Sequence, residues 1–244
     1  MTLQEKLTLA YFERLVSSPE GRAHVLATCA DAEASDEGAL FERLLTFVDD
    51  PELTKLVKRH QEDEIRHAEM FLGCLARTGV PAPKVPDHLK LLKRIDDLLG
   101  GAMDKPITTR EDVMRAYLLL QVIEERASTQ FGLHVQAYRK IDPETADVVA
   151  QIAKDEARHL KYCRAISRRY APDEATLTRE LTHFRELEGR AFAANSRANM
   201  DYVREHGFVK FGPLEGLFWR GVRAFTGRVQ TSVPTPFWRE AAAA

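Results

Sequence analysis

Apolar residues recur at alternating three- and four-residue steps from about residue 19 to 206, the period of helices that bury one face. Strand-like alternation is nearly absent, so an all-α fold is expected. A short amphipathic helix is predicted over residues 3–17. Ser18-Pro19-Glu20 then supplies an N-cap hydroxyl, a first-turn proline and a first-turn acid, and opens a helix to about Val48. Asp50-Pro51-Glu52 repeats the signal and opens a second helix to about Arg77. A proline-rich stretch, Gly79 to Pro83 and then Pro86, breaks the pattern, with a short helix near Asp87 to Leu99. Thr109 caps a third long helix to about Lys140, and Asp142-Pro143-Glu144 opens a fourth to about Tyr170. Short turns within each helix pair and one long crossover between pairs predict a four-helix bundle. After Pro172, helices are expected near residues 175–205 and 213–226. The division expected is a short N-terminal helix (1–18), the bundle (19–170) and a C-terminal helical extension packing on it (171–244). The turn-rich tail from Arg228 is expected to be poorly ordered.

Composition narrows the setting. The 244 residues are 44% hydrophobic and 30% charged, as in soluble globular chains. A formal net charge of −2 gives no electrostatic case for a nucleic-acid partner. Cys29, Cys74 and Cys163 show no CxxC spacing, which excludes a rubredoxin-like or zinc-ribbon module and suits a reducing compartment. The N-terminus lacks a signal-peptide pattern and no run is apolar enough to span a bilayer. The expected location is the cytoplasm, without stable membrane insertion.

An internal repeat carries the chemistry. With a shift of 92 residues, Pro51 falls on Pro143, Glu52 on Glu144, Val57 on Val149, and Asp63-Glu64-Ile65-Arg66-His67 on Asp155-Glu156-Ala157-Arg158-His159. One E-x-x-H is weak; two at matched distances from matched helix starts are specific. Residues three apart share a helix face, so Glu64 with His67, and Glu156 with His159, can reach one ion. Both pairs fall on apolar stripes. In the second helix the stripe is Leu53, Val57, His60, Glu64, His67, Phe71 and Cys74. In the fourth it is Val149, Ile152, Glu156, His159, Cys163 and Ile166. Carboxylates in a dry core are costly unless cations neutralise them. In the third helix Val113, Tyr117, Leu120, Glu124, Ala127, Phe131, Val135 and Tyr138 face inward, and Glu125 turns to the flank. A shift of 91 places Leu40 on Phe131, Leu44 on Val135, Phe47 on Tyr138 and Glu33 on Glu124. Glu33 is preferred as the fourth acid, with Glu37, one turn away, as its rival.

On these residues the chain resembles the ferritin-like di-iron carboxylate superfamily, which includes ferritins, rubrerythrins, ribonucleotide reductase small subunits and bacterial di-iron monooxygenases. The similarity spans roughly residues 19–170. It implies a ferritin-like four-helix bundle with additional C-terminal helices, and two metal ions, iron first, with manganese replacing one iron or another divalent metal left open. By position, Glu33 and Glu124 are implied as terminal ligands, Glu64 and Glu156 as bridges, and His67 and His159 as one nitrogen ligand each. Asp63 and Asp155 are candidates to orient these histidines, each on the opposite helix; plain salt bridges to arginine are the competing reading.

Blander readings hold elsewhere. The cysteines are expected as small core residues, Tyr162 as a packing tyrosine rather than a relay, and His60 as a hydrogen-bonded core residue rather than a seventh ligand. The apolar face around Leu214, Leu217, Phe218, Gly221, Val222 and Phe225 is expected to dock on the bundle or a partner subunit rather than on a membrane. The function expected is a di-iron oxidoreductase that activates O2 or peroxide and oxidises a small organic substrate. Because no flavin, nicotinamide or rubredoxin motif is visible, it would need an external electron donor. The residues beyond the bundle are expected to shape a substrate pocket or a homodimer contact. Ferroxidase, iron storage or peroxide detoxification is the alternative, and a metal-stabilised scaffold a third.

Overall fold

The computed structural model describes residues 1–34, 37–48 and 50–229, and among these the regular structure is helical throughout, with no strand. The helices are α1 (Leu3–Leu15), α2 (Pro19–Glu33), α3 (Glu37–Phe47), α4 (Pro51–Arg77), α5 (Leu91–Leu98), α6 (Arg110–Arg139), α7 (Pro143–Tyr170), α8 (Glu174–Glu205) and α9 (Pro213–Val229). Short 3₁₀ turns at Asp87–Leu89 and Ala102–Asp104 punctuate the connection around α5.

The start signals act as expected. Ser18, Asp50, Thr109 and Asp142 each accept a hydrogen bond from a first-turn backbone N–H, and prolines occupy the opening turns of α2, α4 and α7. At the start of α2, Gly21 is required by space. A Cβ there would sit 2.0 Å from the Leu15 carbonyl oxygen. Ser18 also donates to the Phe208 carbonyl at 2.6 Å, which ties the beginning of α2 to the segment between α8 and α9.

One expectation fails. The helix foreseen as continuous from residue 19 to about 48 is two helices, α2 ending at Glu33 and α3 starting at Glu37. The intervening Ser35-Asp36, followed by Gly38, are residue types whose side chains or backbone freedom favour caps over helix interiors. The apolar step continues on both sides, and periodicity alone therefore missed the break. The segment near residues 87–99 is likewise a 3₁₀ turn followed by α5.

α6 packs along α7 and α2 along α4, and the two pairs meet where α4 contacts α7. α3 covers α4, α1 lies on α6, and α8 runs against α5 and α6 with α9 packed on it. The core falls into two apolar clusters. One contains Phe41, Val57, Tyr117, Leu120, Cys163 and Phe184. The other contains Leu26, Phe71, Phe131, Tyr138, Ile152 and Val203. The clusters occupy successive stretches of α4, α6 and α7. Between Val57 and Phe71, between Leu120 and Phe131, and between Ile152 and Cys163, the same helices bury charge instead.

α9 packs on α8, one of the two dockings expected of it. Trp219 is buried, but Leu214, Leu217, Phe218 and Phe225 remain exposed in the single chain. The apolar face is wider than the surface α8 offers it. No helix among the described residues is long and apolar enough to cross a membrane. The tail beyond residue 229 lies outside the described residues.

Candidate metal centre

The buried polar layer is built by side chains from four helices, α2, α4, α6 and α7, with α4 contributing two successive turns. All seven stripe positions named on α4 are buried, as are all six on α7. The 3.6-residue period therefore delivers Glu64 and His67, and Glu156 and His159, to the interior together. From α6, Glu124 points into the same layer and is 3% exposed. Glu125 is buried on the flank, where Arg185 of α8 grips its two oxygens at 2.9 and 2.7 Å. From the last residue of α2, Glu33 reaches His67, with Oε2 3.3 Å from Nδ1.

Two groups of side chains bring ligand atoms within 4.8 Å of one another. One is Glu33, Glu64, His67 and Glu156, and the other is His60, Glu64, Glu124 and His159. All six residues singled out as ligands are present, and Glu64 belongs to both groups. Glu156 also spans the two, with Oε1 3.0 Å from His67 Nδ1 and Oε2 3.1 Å from His159 Nδ1. Glu37 opens α3, but its side chain lies outside the described ones.

His60 is buried and hydrogen-bonded, as expected, and it also stands in one of the two groups. Its Nε2 lies 2.9 Å from Glu124 Oε1 and 3.1 Å from Glu64 Oε1, which puts it in a ligand-capable group rather than in simple core packing. Its position on the α4 stripe, one turn before Glu64, was the signal. What sequence could not supply was that Glu124 of α6 and His159 of α7 lie within reach of the same ring.

Beneath the histidines the helices are cross-braced. Asp63 Oδ2 stands 3.2 Å from His159 Nε2, and Asp155 Oδ2 stands 3.4 Å from His67 Nε2. Arg158 donates to Asp63 at 2.6 Å and to Asp155 at 2.7 Å, while Arg66 donates to Asp155 at 2.8 Å and to Asp63 at 2.5 Å. The repeat shift exchanges each of these bonds for its counterpart, so D-E-x-R-H forms a pseudo-symmetric latch across α4 and α7. The two readings of these aspartates, salt bridge and histidine partner, are both realised. With Nε2–H donated to an aspartate, Nδ1 of each histidine is left facing the glutamates.

Electrostatics mark the layer as charged and constrained. Burial works to raise the Glu64 carboxyl, but the nearby His159 and His60 rings outweigh it and hold the group far below the usual carboxylate range. Burial and the neighbouring Glu124 carboxylate push Glu156 the other way, up to about 8. Burial opposes a charged His159, yet its contacts with Glu124, Glu156 and Glu64 raise it strongly. His67 is raised against burial by Glu156, whereas burial wins at His60 and lowers it. Against burial, Arg66 with His67 and Arg158 holds the Asp155 carboxyl down at about 2.

Four glutamates within one dry layer would each cost several kcal/mol if left uncompensated. A cation fits the donor set. Glu64 Oε1 and Glu156 Oε1 are buried and make no hydrogen bond, although histidine nitrogens stand 3.1 and 3.0 Å away in poor alignment. These are unspent carboxylate lone pairs aimed among imidazoles. Hard oxygen and imidazole nitrogen donors together suit iron, manganese or zinc.

A cavity of about 590 Å³ reaches this layer, and Glu33, Glu64, Glu124 and Glu156 all lie on its wall. Comparison with protein-family models, with curated proteins and with solved structures gives no match. The class is set by the fold and the site: an all-α protein with a buried glutamate–histidine cluster able to hold metal.

Proposed function

We propose that the chain is a ferritin-like di-metal oxidoreductase that holds two iron ions in this layer and uses O2 or peroxide to oxidise a small organic substrate. The observation that carries the reading is that the two ligand-capable groups share Glu64 and are spanned by Glu156, which is what two ions bridged by carboxylates require. In this reading Glu33, Glu64, His67 and Glu156 hold one ion, and His60, Glu64, Glu124 and His159 the other. A bound iron pair supplies reducing equivalents and an electrophilic site for the oxidant.

The chain's own residues set the conditions. Asp63 and Asp155 fix the histidine tautomers so that Nδ1 faces the site, and Arg66 and Arg158 keep those aspartates ionised. The apolar clusters on both sides exclude water along the helix axes. The open wall beside Glu33 and Glu124 gives a substrate access from the cavity. That access favours oxidation of an organic molecule over iron storage.

The test is to load the metal-free protein with Fe(II) anaerobically, admit O2, and follow the iron absorbance and product masses with a panel of substrates and a generic electron donor. Oxygen consumption coupled to substrate oxidation is expected. Oxidation of iron alone, in a particle of many subunits by light scattering, would point to iron handling.

A further inference from the structure

The cavity that meets the carboxylates has a wall chemistry that specifies its occupant. It is framed by the N-terminal helix and the C-terminal extension together: Tyr11 and Phe12 come from α1, Phe192 and Asn195 from α8, and Trp219 and Val222 from α9. Exposed Leu3 and Phe225 lie at its rim. Deeper in, Ile123, Ala127 and Phe131 of α6 line the approach to Glu124. At about 590 Å³ it is within the range of roughly 300–1,000 Å³ found for pockets that enclose small organic ligands.

Its basic wall residues each already have a partner. Arg126 makes two 2.8 Å bonds to Glu188 and lies over the Phe192 ring, with its guanidinium carbon 3.9 Å from the centroid. Lys90 pairs with Asp31 at 3.0 Å, and Lys93 with Asp97 at 3.3 Å. His24 is spent on Asn199 at 3.2 Å. An anionic head would therefore compete with an acidic partner at each of these cations. Three other wall residues keep unspent capacity, and one of them, Tyr11, has a buried hydroxyl with no hydrogen-bond partner. His134 and Asn195 are 6% and 8% exposed, and His134 Nε2 and Asn195 Oδ1 have no hydrogen-bond partner. A buried polar atom left unpaired costs about 1–3 kcal/mol, which a ligand hydroxyl can recover.

We propose that this cavity binds an uncharged, mainly apolar molecule bearing a hydroxyl group, for which Asn195 Oδ1 stands as an acceptor and His134 Nε2 as a further unpaired polar atom on the wall. This assignment of substrate class rests on the oxidoreductase reading only for what happens after binding. The binding itself needs no metal.

The experiment uses full-length protein carrying Trp238→Phe, so that Trp219 alone reports. Its fluorescence is titrated with 1-decanol, decanoate and decylammonium, on metal-free and on zinc-loaded protein. Saturable binding of 1-decanol is expected in both forms, at least tenfold tighter than either charged analogue on the zinc-loaded protein. Ala127→Phe, which fills the cavity wall, is expected to weaken 1-decanol at least tenfold while leaving the thermal melt and the zinc content unchanged. Asn195→Leu is expected to weaken 1-decanol severalfold. Equal or tighter binding of decanoate, or no saturable binding of 1-decanol to the unsubstituted cavity, overturns the proposal. Loss of zinc binding with 1-decanol binding intact would instead sink the di-metal reading and leave the cavity assignment standing.

Discussion

His159 Nε2 lies 3.2 Å from Asp63 Oδ2 on the facing helix, and its repeat counterpart His67 Nε2 lies 3.4 Å from Asp155 Oδ2. Each aspartate therefore serves the histidine of the other half of the repeat. Neither E-x-x-H motif is complete without the other helix.

From this crossing, Asp63→Asn and Asp155→Asn are each expected to lower metal affinity by about 10–100-fold, the usual cost of losing the carboxylate behind a ligating histidine. Competition with a chromogenic chelator measures it. An affinity within twofold of the parent would show that the aspartates serve only Arg66 and Arg158.

Glu156 and His159 are assigned as ligands, so Glu156→Ala and His159→Ala should each abolish binding of at least one metal. Elemental analysis of protein loaded with excess Fe(II) and desalted provides the check. Two metals per chain in either variant would refute the assignment.

His60 separates core packing from ligation. His60→Phe keeps a ring against Phe41, whose centroid is 4.6 Å away, but removes Nε2 from the group with Glu64, Glu124 and His159. A fall in metal stoichiometry, or a tenfold weaker second ion, is expected with a melting temperature close to the parent's. Unchanged loading would return His60 to the role of a hydrogen-bonded core residue.

His134 carries a pH signature. Burial pushes its imidazole from 6.5 down to about 4. Between those values the unfolded chain binds a proton that the folded chain refuses, so stability falls as pH falls through that window. The full loss is on the order of 3 kcal/mol. In urea denaturation, His134→Leu should gain on the parent progressively from pH 6.5 to pH 4. Parallel pH profiles would mean that the buried ring is protonated in the folded protein.

Much of this site was legible because the two signals it needs are both local. Start signals such as Asp50-Pro51 and Asp142-Pro143 set the phase of α4 and α7, and the three-to-four step then fixes which side chains are buried. Glu64, His67, Glu156 and His159 follow from those two facts alone. Glu33 was placed by analogy across the repeat. It does reach His67, but from the end of α2 rather than from the middle of a long helix. The break after Glu33 was hidden because the apolar period resumes in α3 at Leu40, Phe41 and Leu44. The partners of His60 and the wall of the cavity were not legible for a different reason. Both depend on side chains from helices far apart in the chain meeting at one point, as Phe12, Phe192 and Trp219 do on the cavity wall.

The central claim is that the layer holds two bridged metal ions. Anaerobic titration with ⁵⁷Fe(II), followed by exposure to O2 and Mössbauer spectroscopy, tests it most directly. The account predicts saturation at two irons per chain and a magnetically coupled diferric pair after oxidation. Saturation at one iron or none, or two uncoupled ferric ions, would contradict it.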